Sequence, residues 1–364
     1  MKEGYLWAVA QNNLGNGLQS LADREANPQH LVEAVLAIRT GLRDCPREKA
    51  PLLWAALQAS MGRALLNLSK WESGTRRIEE AITAFRAALQ ECTRDKTAVD
   101  WARTQRSLAG ALAILGWRKS DSQVLEEAVA AHRAALPVFT REKVPLEWAE
   151  SQSELGIALH FLGRLGSGTH RLEEATMHLH AALLELTRDR VPLEWAYIQD
   201  NLGMALTELG QRKANSACLK KAIDAFHNAL QERTRNDDPL GWSHTQNYLG
   251  LALMGLAELE LGTQHLEAAV LAFRKALLER PIERILHDWA ETQKDLADAL
   301  TMLGERKSDV PCVEEAISIY AAILIAMHAT QYGTPRVDEA LSRARALRQQ
   351  LDVSSPRVPL APHS

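Results

Sequence analysis

The sequence predicts an all-α fold, a solenoid of seven two-helix repeats closed by one further helix, and three observations carry that prediction. Seven of the nine Trp, namely Trp7, Trp54, Trp101, Trp148, Trp195, Trp242 and Trp289, each stand 47 residues from the next with no insertion, and self-similarity at a fixed period is the mark of stacked supersecondary units. Each Trp also opens an apolar stripe at helical spacing. Finally, aromatic residues make up only 5% of the chain, while Leu, Ala, Glu and Arg dominate, as in long helices.

The first element of each repeat is helix A. Gln follows each Trp at +4, Leu or Met at +7, Gly or Ala at +8, and Leu at +11 and +14, as in Leu155, Gly156, Leu159 and Leu162. Those offsets make one stripe at about 100° per residue. Pro51, Pro145, Pro192 and Pro239 precede their Trp by three residues, which suits the first turn of a helix. A half-buried Gln is expected to bond backbone in the turn entering helix A, and the Trp to bury a large apolar area. Gly116, Gly163, Gly210 and Gly304 at +15 are expected as C-caps.

Helix B follows a Ser/Asp/Thr-rich loop such as Ser120, Asp121 and Ser122. In repeat four its stripe is Leu172, Ala175, Thr176, Leu179, Ala182 and Leu183, and all seven repeats carry Ala at +27. An Ala held at that position implies a contact too close for a larger side chain.

These residues resemble tetratricopeptide (TPR) repeats. Helix A has the family's Leu-Gly-x-x-Leu pattern, and helix B its Ala-x-x-x-Phe-x-x-Ala pattern, in Ala81, Phe85 and Ala88 and again in Ala222, Phe226 and Ala229. The match is to a long, 47-residue bacterial-type variant. The resemblance implies a scaffold that lines a concave groove with helix A and binds protein there. Armadillo and HEAT repeats have a similar period but fit the internal pattern less well. The repeats are expected over residues 1–335. A capping helix is expected over 336–351, with Val337, Ala340, Leu341, Ala344, Leu347 and Leu351 on one face, and a flexible tail over 352–364. The first Trp lies so near Met1 that no N-terminal cap is expected. That end is sealed by a partner, or the chain is the C-terminal part of a longer array.

Several function classes are disfavoured. A formal charge of -4 gives no reason to expect nucleic acid, which draws on clustered Lys and Arg. The most apolar stretch, Ile317 to Ala329, is about 13 residues against the roughly 20 that span a bilayer, and no signal peptide is evident. No membrane role is therefore expected, and the cytoplasm is the default location. Cys45 and Cys92 occupy equivalent positions of adjacent repeats, too far apart for a disulfide. His178 and His180, two apart on a helix, point away from each other, so the His-rich fourth repeat is not read as a metal site. No Gly-rich phosphate loop, HExxH, GxSxG or CxxC occurs, so neither a cofactor nor an enzyme is expected.

The expected partner is another protein or a peptide. On helix A, offsets +2, +5, +9 and +12 lie opposite the packing stripe and vary most between repeats. The groove residues selected on that basis are Arg63, Arg103, Arg106, Tyr197, Met204, His244, Asn247, Leu251 and Met254. They suggest a groove basic near one end, aromatic and Met-lined in the middle and, with Glu291 and Asp298 on the same face, mostly acidic beyond. The Lys/Asn/Arg set by which some TPR domains grip C-terminal carboxylates is incomplete: Asn12 and Asn16 occur without the lysines. Trp71 and Trp117, near the A-to-B turns, are further contact candidates, with loop packing as the simpler reading. The alternative function is a structural solenoid that self-associates through its uncapped N-terminal end.

Overall fold

A computed structural model describes residues 2–72, 74–282, 286–328 and 335–354. Among these, helix A of the seven repeats is α1 (Lys2–Glu25), α3 (Pro51–Leu68), α5 (Ala98–Lys119), α7 (Pro145–Leu165), α9 (Pro192–Arg212), α11 (Pro239–Leu259) and α13 (Leu286–Lys307). Helix B is α2 (Pro28–Asp44), α4 (Arg76–Leu89), α6 (Ser122–Ala135), α8 (His170–Ala182), α10 (Ser216–Ala229), α12 (Gln264–Leu277) and α14 (Val310–His328), and a last helix is α15 (Pro335–Ser354). No strand occurs among the described residues. The chain divides into two compact units, residues 1–187 and 188–364. The first holds repeats one to four; the second holds repeats five to seven and α15. Of the tail expected over 352–364, residues 352–354 are helical, and residues 355–364 lie outside the described residues.

Helix A begins where the sequence places it. Pro51, Pro145, Pro192 and Pro239 each stand at the first turn. The first helical bond runs from the Trp amide to the residue four before it, as in Trp148 N to Val144 O at 2.9 Å and Trp242 N to Asp238 O at 2.8 Å.

The two helices of a repeat approach closely, and small residues make that possible. Ala at +27 is completely buried in all seven repeats. A Cβ added at Gly62 would lie 2.6 Å from the Phe85 ring, at Gly203 2.6 Å from Phe226, and at Gly250 2.5 Å from Phe273. The +8 Gly thus accepts the large +31 side chain of helix B. Where +8 is Ala109 or Ala297, +31 is His132 or Tyr320 instead. The +15 glycines do a similar job and are not C-caps: α5, α7, α9 and α13 run past them. A Cβ at Gly116, Gly163, Gly210 or Gly304 would meet Leu125, Leu172, Leu219 or Val313 at 2.5–2.8 Å. In repeats one, three, five and seven the turn itself is made at +19, by left-handed Ala26, Ser120, Ala214 and Ser308 with φ of 48–54°.

Three further expectations need correction. The repeated Trp are only partly buried in repeats two to seven, and Trp7 is 48% exposed. Five of them carry a guanidinium over the ring: Arg47, Arg94, Arg141, Arg188 and Arg235 sit 4.9–5.8 Å from the centroids of Trp54, Trp101, Trp148, Trp195 and Trp242. All but Arg94 also bind a Glu of the next repeat, Glu91, Glu185, Glu232 and Glu279 in turn. Exposure is what such a clamp requires, because the guanidinium stays hydrated on its outer side. Among the described residues Gln152 pairs not with loop backbone but, through its Oε1, with Nδ1 of His178 on helix B. The apolar stretch is also longer than expected. Helix α14 continues through Glu314 and Glu315, giving 19 residues of hydropathy 1.7, long and apolar enough by composition to cross a bilayer. Its Val313, Ala316, Tyr320 and Ile323 are buried in the repeat core.

The repeats alternate, so the true structural unit is a pair. In repeats one, three and five a short A-to-B turn is capped by Asn27, Asp121 and Asn215, whose side chains accept helix-B amides. In repeats two, four and six the turn is longer and ends at Thr75, Thr169 and Thr263, whose hydroxyls donate to Glu79, Glu173 and Glu267. The following short-turn repeat grips the long turn. Arg118 donates to the carbonyls of Ser69, Glu72 and Gly74, and Arg306 to those of Ala257, Glu260 and Gly262. Beside them Lys119 pairs with Glu79 and Lys307 with Glu267.

Candidate functional site

In the first unit, α1, α3 and α5 turn their inner faces towards a pocket of about 480 Å³. It contains Arg63, Arg103 and Arg106, all three of the basic residues selected from the sequence, together with Asn12, Asn16 and Ser60. The arginines and asparagines lie at offsets that the packing stripe leaves over and stay partly or fully exposed, whereas Ser60 between them is buried.

The three arginines are not equivalent. Arg103 reaches Glu147 at 3.4 Å, and Arg106 donates to Glu150 at 2.7 Å and lies 3.5 Å from Glu154. Arg63 has no ion-pair partner among the described residues. Its terminal nitrogen donates to Ser60 Oγ at 2.9 Å and to Asn16 Oδ1 at 3.4 Å. Although solvent reaches it, the pocket walls desolvate its guanidinium, and that desolvation followed by the charge of Arg103 lowers its pKa. A cation that is desolvated, repelled and met only by neutral acceptors is stabilised by an incoming anion.

Beyond Arg106 lies a polar knot that spacing alone did not reveal. His132 is buried with neither ring nitrogen hydrogen-bonded among the described residues, and burial pushes its imidazole down to about 3. The Glu154 side chain is 41% exposed, but its Oε2 is buried, and desolvation pushes the carboxyl up to about 7 against the pull of Arg106.

In the second unit the selected residues divide. Tyr197 is 46% exposed, and Met204, His244, Leu251 and Met254 are partly exposed. Arg233 lies over the Tyr197 ring at 5.7 Å, and His244 packs on Tyr248 at 4.6 Å. Asn247 is not on display: only 7% of it is exposed, and its repeat-five counterpart Asp200 is 2% exposed. The +5 side chains here turn towards the adjacent A helix, so Asp200 accepts from Thr245 at 2.8 Å and from Arg233 at 2.5 Å. Burial still pushes the Asp200 carboxyl up to about 7. Met254 alone of the nine residues enters a second pocket, of about 520 Å³, with Glu258, Asp298, Met302, Glu305 and Leu347. Each unit therefore offers its own recess: in the first it lies across α1, α3 and α5 and holds three arginines beside Asp100, and in the second it lies among α11, α13, α14 and α15, where Met254 and Met302 stand beside Glu258, Asp298, Glu305 and Arg343. Of the additional Trp, Trp117 lies within α5 and stacks on Phe161 of α7 at 4.9 Å, not on a loop, and stays 38% exposed, while Trp71 is 54% exposed.

The packing of the +8 Gly against the +31 aromatic ring, in register with buried Ala at +27, decides the architecture. The chain is an α-solenoid of tetratricopeptide-like helix pairs. No family model matches it, and no curated protein does. Solved structures with a similar helical course include the C-terminal part of a TPR repeat-containing protein from Cytophaga hutchinsonii, at 10% identity over 90% of this chain and 99% of that one, with a TM-score of 0.47. Another is the Rap conjugation gene regulator of plasmid pLS20 in complex with the Phr* peptide, at 15% identity over 97% and 99% of the two chains, TM-score 0.42. A third is the TPR2AB domain–pHSP90 complex of yeast Sti1, at 14% identity over 80% and 98%, TM-score 0.28.

Proposed function

We propose that this α-solenoid is a scaffold that binds another protein, or an extended peptide segment of one, against the inner faces of its A helices. The observation that carries the reading is Arg63: a guanidinium that lines a pocket also holding Asp100, yet makes no ion pair among the described residues, is complementary to an acidic group from outside. In the second unit the exposed ring of Tyr197, with Leu251 and Met254, supplies apolar area that the fold leaves uncovered. Aromatic and thioether surfaces of this kind suit side chains of a bound segment. The reading is of a binding protein, not an enzyme, and we place it in the cytoplasm, in keeping with four free thiols.

The test is affinity capture of the partner from the native cell, followed by kinetics with purified protein. Arg63→Glu should slow association in a salt-dependent way, and Tyr197→Ala with Leu251→Ala should speed dissociation. Arg63 is the cleaner charge reversal, because Arg103 and Arg106 also tie neighbouring helices together through Glu147 and Glu150. Wild-type kinetics in both variants would remove the inner-face assignment. A structural, self-associating solenoid is the second reading, favoured by the 51% exposure of Leu14 on α1. Light scattering that shows an oligomer at all dilutions would support it.

A further inference from the structure

The open face of α1 repeats a surface that elsewhere in the molecule is an interface. In repeats two to seven the +7 side chain is 1–7% exposed, whereas Leu14 at that position in α1 is 51% exposed. Leu18 and Leu21, the +11 and +14 residues, are partly exposed, and their six counterparts are each buried. The face also carries a polar device. Arg24 stands at the +17 position of Arg118 and Arg306, each of which grips three carbonyls of a preceding long turn. Arg24 itself is exposed and makes no hydrogen bond or ion pair among the described residues.

We infer that the α1 face is a docking surface for one particular occupant, a helix-pair repeat of the long-turn kind supplied by a partner. Continuity with the interfaces of α5 and α13 fixes the geometry: the apolar stripe of α1 takes the place of theirs, and Arg24 receives the carbonyls of the partner's long turn. Short-turn repeats do not fit, because their turn is closed on itself by Asn or Asp and offers no such set of carbonyls to an arginine. One substitution refines the partner further. Where Lys119 and Lys307 meet Glu79 and Glu267, α1 presents Glu25, which binds His30 at 2.9 Å. Like charges would face each other if the partner kept that Glu, so the fitting long-turn repeat carries a neutral or basic residue there.

The surface can be tested on the full chain by fusing a repeat ahead of Gly4 in the 47-residue register. Three fusions are compared with the parent: residues 51–97, a long-turn repeat; the same with Glu79→Lys; and residues 98–144, a short-turn repeat. The long-turn fusion should raise the thermal midpoint by about 2 °C or more, a shift readable for a chain of this size. Glu79→Lys should raise it further, and hydrogen exchange along α1 should slow. Arg24→Ala should lower the midpoint of the long-turn fusions and leave the parent unchanged. An equal gain from the short-turn fusion, or an Arg24→Ala effect of the same size in the parent, would overturn the inference. Unchanged exchange along α1 in the long-turn fusions, whether or not the added repeat folds, would overturn it too.

Discussion

Replacing Gly203 by Ala should destabilise repeat five, and replacing Gly110 by Ala should stabilise repeat three, although both glycines lie within helix A. A Cβ at Gly203 would stand 2.6, 2.7 and 2.9 Å from three carbons of the Phe226 ring, where carbon pairs rest at about 3.5–4.0 Å. Phe226 is completely buried between Ala222 and Ala229, themselves fully buried, so the ring has nowhere to go without moving helix B. Overpacking of this kind costs about 1–3 kcal/mol, against which the helix gains about 1 kcal/mol from exchanging Gly for Ala. At Gly110 nothing lies within 4 Å of the added Cβ, so only the gain of about 1 kcal/mol remains. The two variants should therefore differ by about 1–3 kcal/mol, with opposite signs in most of that range. Urea unfolding followed by circular dichroism measures the difference, and hydrogen exchange shows whether the Gly203→Ala loss is confined to α9 and α10. Equal shifts of the same sign would refute the claim that helix-pair separation is set by the +8 glycine.

His132→Leu should stabilise the protein, and more at pH 5 than at pH 7.5. Below pH 6.5 the unfolded imidazole takes a proton that the buried ring, pushed down to about 3, refuses, so the wild type loses up to about 2 kcal/mol by pH 5 and the variant does not; parallel stability–pH curves would count against it. Arg141→Ala should cost more than Arg94→Ala, by about 0.5–1 kcal/mol, because Arg141 holds both Trp148 and Glu185 and Arg94 holds only Trp101; thermal or urea midpoints of the two variants decide this.

Most of the fold was legible because it is written seven times. One Trp register and two apolar stripes fix the helices, and Pro at the first turn fixes their start. Less legible was anything that depends on which neighbour a side chain meets. The +15 glycines look like caps until Leu125 and its counterparts are seen against them, and Asn247 looks displayed until adjacent A helices are seen to close over the +5 position. The pairing of repeats was present in the sequence, in the 94-residue recurrence of Asn27, Asp121, Asn215 and Asp309 and of Arg24, Arg118, Arg212 and Arg306. A search at the shorter period averages it away. The recurring Arg47, Arg94, Arg141, Arg188 and Arg235 were equally visible, but each stands seven positions before its Trp, across the turn into helix A. Only the folded turn brings the charge over the ring. Spacing placed Arg63, Arg103 and Arg106 on one face, and they line one pocket. It did not reveal that Glu147 and Glu150 already occupy two of them.

Site-specific photocrosslinking in the native cell tests the central claim most directly. A photoreactive residue replaces either Tyr197, 46% exposed on the inner face of α9, or Met177, 59% exposed on helix α8. Inner-face binding predicts one crosslinked protein species at position 197, lost when Leu251→Ala is added, and none at position 177. The same species captured at position 177 and absent at position 197 would contradict it.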